Sequence, residues 1–166
     1  MTRRRALGLA ALMAVAAAAA GYGVRRWWHG AADIERASLE ALFSTPLANL
    51  SGGRDTLGRW RGQVLVVNFW ATWCAPCREE IPLFVRMQAR LGSRGLQFVG
   101  IAIDRPEPVS AFQREYAINY PILIGGLETM ELLRSTGNRS GVLPYTLIID
   151  RAGRLVHRKL GVLKEE

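Results

Sequence analysis

Asn68-Phe69-Trp70-Ala71-Thr72-Trp73-Cys74-Ala75-Pro76-Cys77-Arg78-Glu79-Glu80-Ile81-Pro82 is the stretch from which the fold can be read, and it holds both cysteines of the 166-residue chain. The apolar, β-branched run Val64–Trp70 leads into it, as expected of a strand buried on both faces in a parallel sheet. Apolar positions Ile81, Leu83, Phe84, Met87 and Leu91 follow at helical spacing. A buried strand therefore turns into a helix at the cysteines. A thiol at a helix N-terminus faces unpaired backbone N–H groups and the positive end of the helix dipole. Both favour thiolate, the reactive form. The two-residue gap lets Cys77 reach back one turn to Cys74, so a disulfide can open and close with little backbone movement. Pro76 suits the first turn of a helix.

Three blander readings compete for the pair. Both thiols could be inert small hydrophobes. They could be half of a zinc site, but the chain adds only His29 and His157, neither with ligand spacing. They could form a structural disulfide, but so small a closed loop stabilises least. Redox chemistry is the stronger reading.

The run Phe69-Trp70-Ala71-Thr72-Trp73-Cys74-Ala75-Pro76-Cys77 resembles the active-site stretch of the thioredoxin superfamily, in particular the membrane-tethered TlpA/ResA-like thiol–disulfide oxidoreductases of bacteria. The resemblance covers Ser44 to Val162. It implies an α/β thioredoxin-like fold, a central mixed sheet flanked by helices, with an N-terminal β-hairpin extension and a central αβ insertion. It also implies a redox-active Cys74–Cys77 disulfide and no other cofactor. Trp73, Ala75 and Pro76 would line the docking surface. Pro144, just before the strand Leu147–Asp150, would be cis and packed beside the disulfide. Leu143 would then offer its backbone to a partner chain added as a strand. Tyr145 departs from the small Thr common there, which bears on partner choice.

Asn68 is a second departure. Thioredoxins carry a buried acid at this position that helps move the proton of the second cysteine, and Asn cannot titrate. Glu80 is the candidate replacement, because three residues along a helix place it on the face of Cys77. ResA-like reductases carry an acid at this spacing. The competing reading makes Glu79 and Glu80 simply first-turn acids that favour the helix dipole; it suits Glu79 better.

Outward from this stretch, the domain boundaries follow. Thr2-Arg3-Arg4-Arg5 is a basic head, and Ala6–Val24 is an uncharged, alanine-rich run. As a helix the run would be about 28 Å long, just enough to cross a bilayer. Arg25-Arg26-Trp27-Trp28 ends it as an anchor helix ends. Ala18-Ala19-Ala20 before Gly21 offers a cleavage site instead, and the head loosely matches a twin-arginine signal. Residues 1–29 are thus expected to be an uncleaved membrane anchor, or else a signal segment, with 30–43 a solvated linker of helical character and 44–166 the thioredoxin-like domain. Of the net charge of +8, these first residues supply five arginines with no acid before Asp33, leaving +3 for the rest. The basic balance therefore belongs to the leader, and a nucleic-acid surface is not expected.

Within the domain, Thr45–Leu50 and Thr56–Trp60 flank a turn at Ser51–Asp55 and predict a hairpin. Leu96–Ile103 predicts a buried strand, Val109–Tyr116 a helix, and Asn119–Ile124 an edge strand or extended segment because of Pro121. Leu127–Ser135 predicts a helix, Leu147–Asp150 and Leu155–Leu160 the last two strands.

The expected function is reduction of disulfides in exported proteins on the periplasmic side of the inner membrane. Apocytochrome c or a copper-site protein would be the client, and a membrane thiol transporter of the DsbD/CcdA kind the donor. A DsbA-type oxidase would use the same site in reverse. A Cu(I)-binding metallochaperone could use the same two thiolates. A peroxidase of this fold would need Thr where Ala71 stands.

Overall fold

The computed structural model describes the backbone of residues 3–126 and 128–164, and the side chains of 13–26, 33–126 and 129–164. Thr2, the start of the Leu127 helix, and the side chains of Arg3, Arg4, Arg5, Trp27 and Trp28, on which the anchor reading leans, lie outside these. The chain divides into two compact units, Met1–Ala37 and Ser38–Glu166. The described residues of the first are helical, part of helix α1 (Arg3–Ser44), and its side chains from Met13 to Arg26 are exposed. Among the described residues no helix is long and apolar enough to cross a membrane.

The expected linker is corrected here. Residues 30–43 are helical, in line with their expected helical character, but they are not simply solvated: Leu39, Leu42 and Phe43 lie in the hydrophobic core. Their i, i+3, i+4 spacing puts all three on one face, a stripe too short to stand out beside the alanines before it. The folded unit begins at Ser38.

The second unit is built on one sheet of seven strands in the order β2-β1-β5-β4-β3-β6-β7. These are β1 (Leu47–Asn49), β2 (Arg54–Asp55), β3 (Val64–Trp70), β4 (Leu96–Ile103), β5 (Ile122–Gly125), β6 (Tyr145–Ile149) and β7 (Leu155–Leu160). β3, β4 and β5 run parallel, and the other pairings are antiparallel. Helices α2 (Ala75–Leu91), α3 (Pro106–Glu115) and α4 (Glu128–Ser135) complete it.

Alternation along β3 sorts the core into two layers. Leu65, Val67 and Phe69 pack with Leu39, Leu42, Phe43 and Leu133, from α1 and α4. Val66 and Trp70 pack with Ile81 and Phe84 of α2 and Val109 and Phe112 of α3. Asn68 shares the second face, toward α2.

Two expectations change in detail. The second hairpin arm is only two residues long, and Leu57–Trp60 instead forms a 3-10 turn that drives Leu57 and Trp60 into the core. Asn49 Oδ1 accepts from the N–H groups of Ser51 and Gly53, which closes the hairpin early. β5 is an interior strand, because β1 pairs with its outer side (Ala48 with Ile124, Asn49 with Leu123). Pro121 is tolerated since it precedes the strand, where its carbonyl accepts from Gly100 N–H at 3.0 Å.

The topology gathers several strand ends at one end of the sheet. β3 and β4 end there, antiparallel β6 begins there, and β7 ends there, with Phe69 opposite Tyr145 and Tyr145 opposite Leu160. Ligands of open α/β sheets bind outside the carboxyl ends of parallel strands, and both cysteines emerge at that end.

Candidate active site

Cys74 is the N-cap of α2, in extended conformation, with Pro76 in the first turn. Its Sγ accepts from Cys77 N–H at 3.3 Å, and its carbonyl accepts from Cys77 and Arg78 N–H. Sulfur thus sits where the helix leaves its donors unpaired, the setting that stabilises a thiolate. Cys74 and Cys77 form a disulfide. Cys74 keeps 6% of its surface exposed and Cys77 none. The two sulfurs are therefore unequal: one can be met by a partner, the other only by its neighbour.

Around the disulfide, Trp73 is 70% exposed, and Ala75 and Pro76 are exposed beside it. The Leu143–Pro144 peptide is cis. Pro144 is buried, and Leu143 is half-buried against the cluster that contains both cysteines. The fold thus gathers Trp73, Cys74, Ala75, Pro76, Leu143 and Pro144 at one end of the sheet.

Glu80 is 1% exposed. Its Oε1 accepts from Asn68 Nδ2 at 2.7 Å and its Oε2 from the backbone N–H of Leu163 at 2.9 Å. Burial pushes its carboxyl up from the ordinary carboxylate range to about 7, against the downward pull of the Leu163 N–H and then the Asn68 amide. Asn68 Nδ2 also donates to Thr146 Oγ1 at 3.0 Å. The phenol of Tyr120 is raised, by its own burial first and by the nearby Glu80 charge second. Glu79 is exposed, and both acids lie beyond the first turn of α2, which holds no acid. The reading of the two as first-turn acids is corrected: α2 starts at Ala75, one turn too early for them.

Three contributors have no counterpart in the sequence reading. Asp104, at the end of β4, accepts from Thr72 at both its N–H, at 3.1 Å, and its hydroxyl, and from Arg105 N–H. It clips the turn before Cys74 to the start of α3. An acid at the carboxyl end of a parallel strand was the available signal. Arg78 Nε donates to Tyr116 Oη at 3.2 Å, tying the first turn of α2 to the end of α3. Leu163 acts through its main chain, which leaves no mark in a sequence. Among the described residues no cluster of three or more His, Cys, Asp or Glu side chains could hold a metal ion.

A family model described as Redoxin matches residues 39–166. The thiol-disulfide oxidoreductase ResA of Geobacillus thermodenitrificans is 28% identical over 121 residues, covering 72% of this chain and 67% of that one. ResA of Halalkalibacterium halodurans is 26% identical over 156 residues, 93% of this chain and 86% of that one. Among solved structures, a thiol:disulfide interchange protein of the thioredoxin family from Chlorobium tepidum superposes with a TM-score of 0.62 at 31% identity, covering 72% of this chain and 83% of that one. The mixed sheet with its flanking helices is thus a thioredoxin fold.

Proposed function

The chain belongs to the Redoxin family and is a thiol–disulfide oxidoreductase of ResA-like type, and from that premise we propose that it reduces disulfides in exported proteins through Cys74 and Cys77. The observation that carries this reading is the inequality of the two sulfurs at the tip of α2, with the buried Glu80 carboxyl three residues beyond the inner one.

In the reduced protein the Cys74 thiolate attacks a client disulfide. The client S–S bond breaks, a Cys74–client mixed disulfide forms, and one client thiolate leaves and takes up a proton. Cys77 then passes its proton to the Glu80 carboxylate, and the new thiolate attacks Cys74 sulfur. The second client thiolate leaves and is protonated. Two electrons have moved to the client, and the Cys74–Cys77 disulfide remains. A carboxyl raised to about 7 lies closer to an ordinary thiol near 8.5 than a free Glu does, so the proton transfer costs less. Trp73, Ala75, Pro76 and the Leu143–Pro144 backbone receive the client chain. The Cys74–Cys77 pair supplies the redox couple, and the reading calls for no further cofactor.

The client class is an exported disulfide-bearing protein, apocytochrome c or a copper-site protein, and the dithiol is restored by a membrane thiol donor of the DsbD/CcdA kind. The domain works on the periplasmic side of the inner membrane. The basic head, the apolar run and the Arg25-Arg26-Trp27-Trp28 end support export, with residues 1–29 either retained as the tether or cleaved.

Cys77→Ser tests the exchange chemistry. It should accumulate covalent partners through Cys74, while Cys74→Ser captures none. Absence of any mixed disulfide in Cys77→Ser would falsify the reading. Titration of the Cys74–Cys77 couple against glutathione separates a reductase from an oxidase, since each 30 mV corresponds to about 1.4 kcal/mol.

A further inference from the structure

Past the last strand the chain does not leave the sheet. Gly161 takes a left-handed conformation, φ 78°, and its N–H donates to the Pro144 carbonyl at 2.9 Å. The β6–β7 ladder is thereby extended by one bond beyond the Tyr145–Leu160 pair. Two residues later the N–H of Leu163 donates to Glu80 Oε2 at 2.9 Å. The Leu163 side chain is half-buried against the cluster that holds Cys74, Cys77, Ile81 and Phe84. Gly161–Leu163 is thus a strap, fixed at one end to the Pro144 backbone and at the other to the buried carboxyl.

We propose that Leu163 is a positioning residue for thiol exchange, its main-chain N–H holding the Glu80 carboxyl group on the α2 face that carries Cys77. The inference rests on the reading of Glu80 as the proton acceptor of Cys77. A hydrogen bond to the charged form of a carboxyl favours that form. The strap therefore opposes the burial of Glu80 and keeps the carboxyl able to take a proton at neutral pH. The groups that face Glu80 are Asn68 from β3, Thr146 from β6 through Asn68, Tyr120 from the segment before β5, and Cys77 on its own helix. Of these only Tyr120 and the reduced Cys77 titrate, and Tyr120 is raised, so it stays neutral in this range. The downward pull on Glu80 comes from two donors, Leu163 N–H and the Asn68 amide.

Leu163 makes two separate contacts, one through its side chain and one through its main chain. Its side chain seals the cluster and its backbone supplies the donor. A mere packing role would use the side chain alone. The two roles respond differently to substitution.

The test uses the full chain. Leu163→Pro removes the N–H, and Leu163→Val keeps it while trimming the side chain. The rate of disulfide exchange is measured against pH in both. Without the N–H, the acid limb should move up by about one pH unit relative to Leu163→Val, with about a fivefold loss of rate at neutral pH that is recovered in alkali. Coincident limbs in the two variants, with the limb abolished in Glu80→Gln, overturn the role of the strap and leave the reading of Glu80 standing. A limb unchanged in Glu80→Gln overturns both. Should Leu163→Pro not fold, the unaltered chain carries the test. The Leu163 amide proton resonance should shift with pH along the Glu80 titration and lose that shift in Glu80→Gln. A resonance that ignores the titration overturns the inference.

Discussion

The side-chain amide of Asn68 donates to the buried carboxyl of Glu80 at 2.7 Å, across the gap between β3 and α2. A residue that cannot titrate thus holds one that can. The strand face that would carry an acid in thioredoxins supplies a neutral donor, and the titrating group moves to the helix that bears the cysteines. In the proposed mechanism this carboxyl takes the proton of Cys77, which sets the first prediction.

Glu80→Gln should slow resolution of the mixed disulfide by about 100-fold at neutral pH, the scale of a lost general base. Glu79→Gln, at an exposed position, should stay within about twofold of the parent. Stopped-flow fluorescence of the exchange reads both. Equal losses would remove Glu80 from the mechanism.

Stability should fall with rising pH in the window set by Glu80. The folded carboxyl holds its proton up to about 7, whereas the unfolded one releases it near 4.5. Between these values the unfolded chain binds fewer protons, so unfolding becomes easier as pH rises, and the dependence ends above about 7. The accumulated loss is about 3 kcal/mol. Denaturant unfolding of the oxidised protein at several pH values should show this slope. Glu80→Gln should lose that part of it.

Asp104→Ala should loosen the turn before Cys74. Three donors, two on Thr72 and one on Arg105, lose their shared acceptor. The expected cost is about 2 kcal/mol of stability, as for hydrogen bonds to a charged group. Exchange should slow severalfold as the cap of α2 loses its fixed position. Denaturation midpoints and exchange rates of Asp104→Ala and Asp104→Asn measure the two effects, with Asn the milder.

Leu42→Ala should destabilise the domain by about 2–5 kcal/mol, the range for a buried leucine truncated to alanine. Leu42 is fully buried with Phe43 and Leu57. A change below about 0.5 kcal/mol, the size seen at exposed sites, would return this segment to the status of a spacer.

The amino-acid sequence determined the strand–cysteine–helix junction, the strands Val64–Trp70, Leu96–Ile103 and Leu155–Leu160, and the candidacy of Cys74, Cys77, Glu80 and Pro144. The junction and strands depend on neighbours along the chain, apolar runs and helical spacing, while Pro144 and, in part, Glu80 are singled out by the resemblance of the cysteine stretch to a known family. Only the tertiary structure decided that Leu39, Leu42 and Phe43 belong to the core, that β5 is interior, and that Asp104 and the Leu163 N–H reach the site. Each of those depends on a partner distant in sequence, 83 residues away for Leu163 and Glu80. A main-chain donor is the same in every residue but proline, so only packing could select which one meets the buried acid.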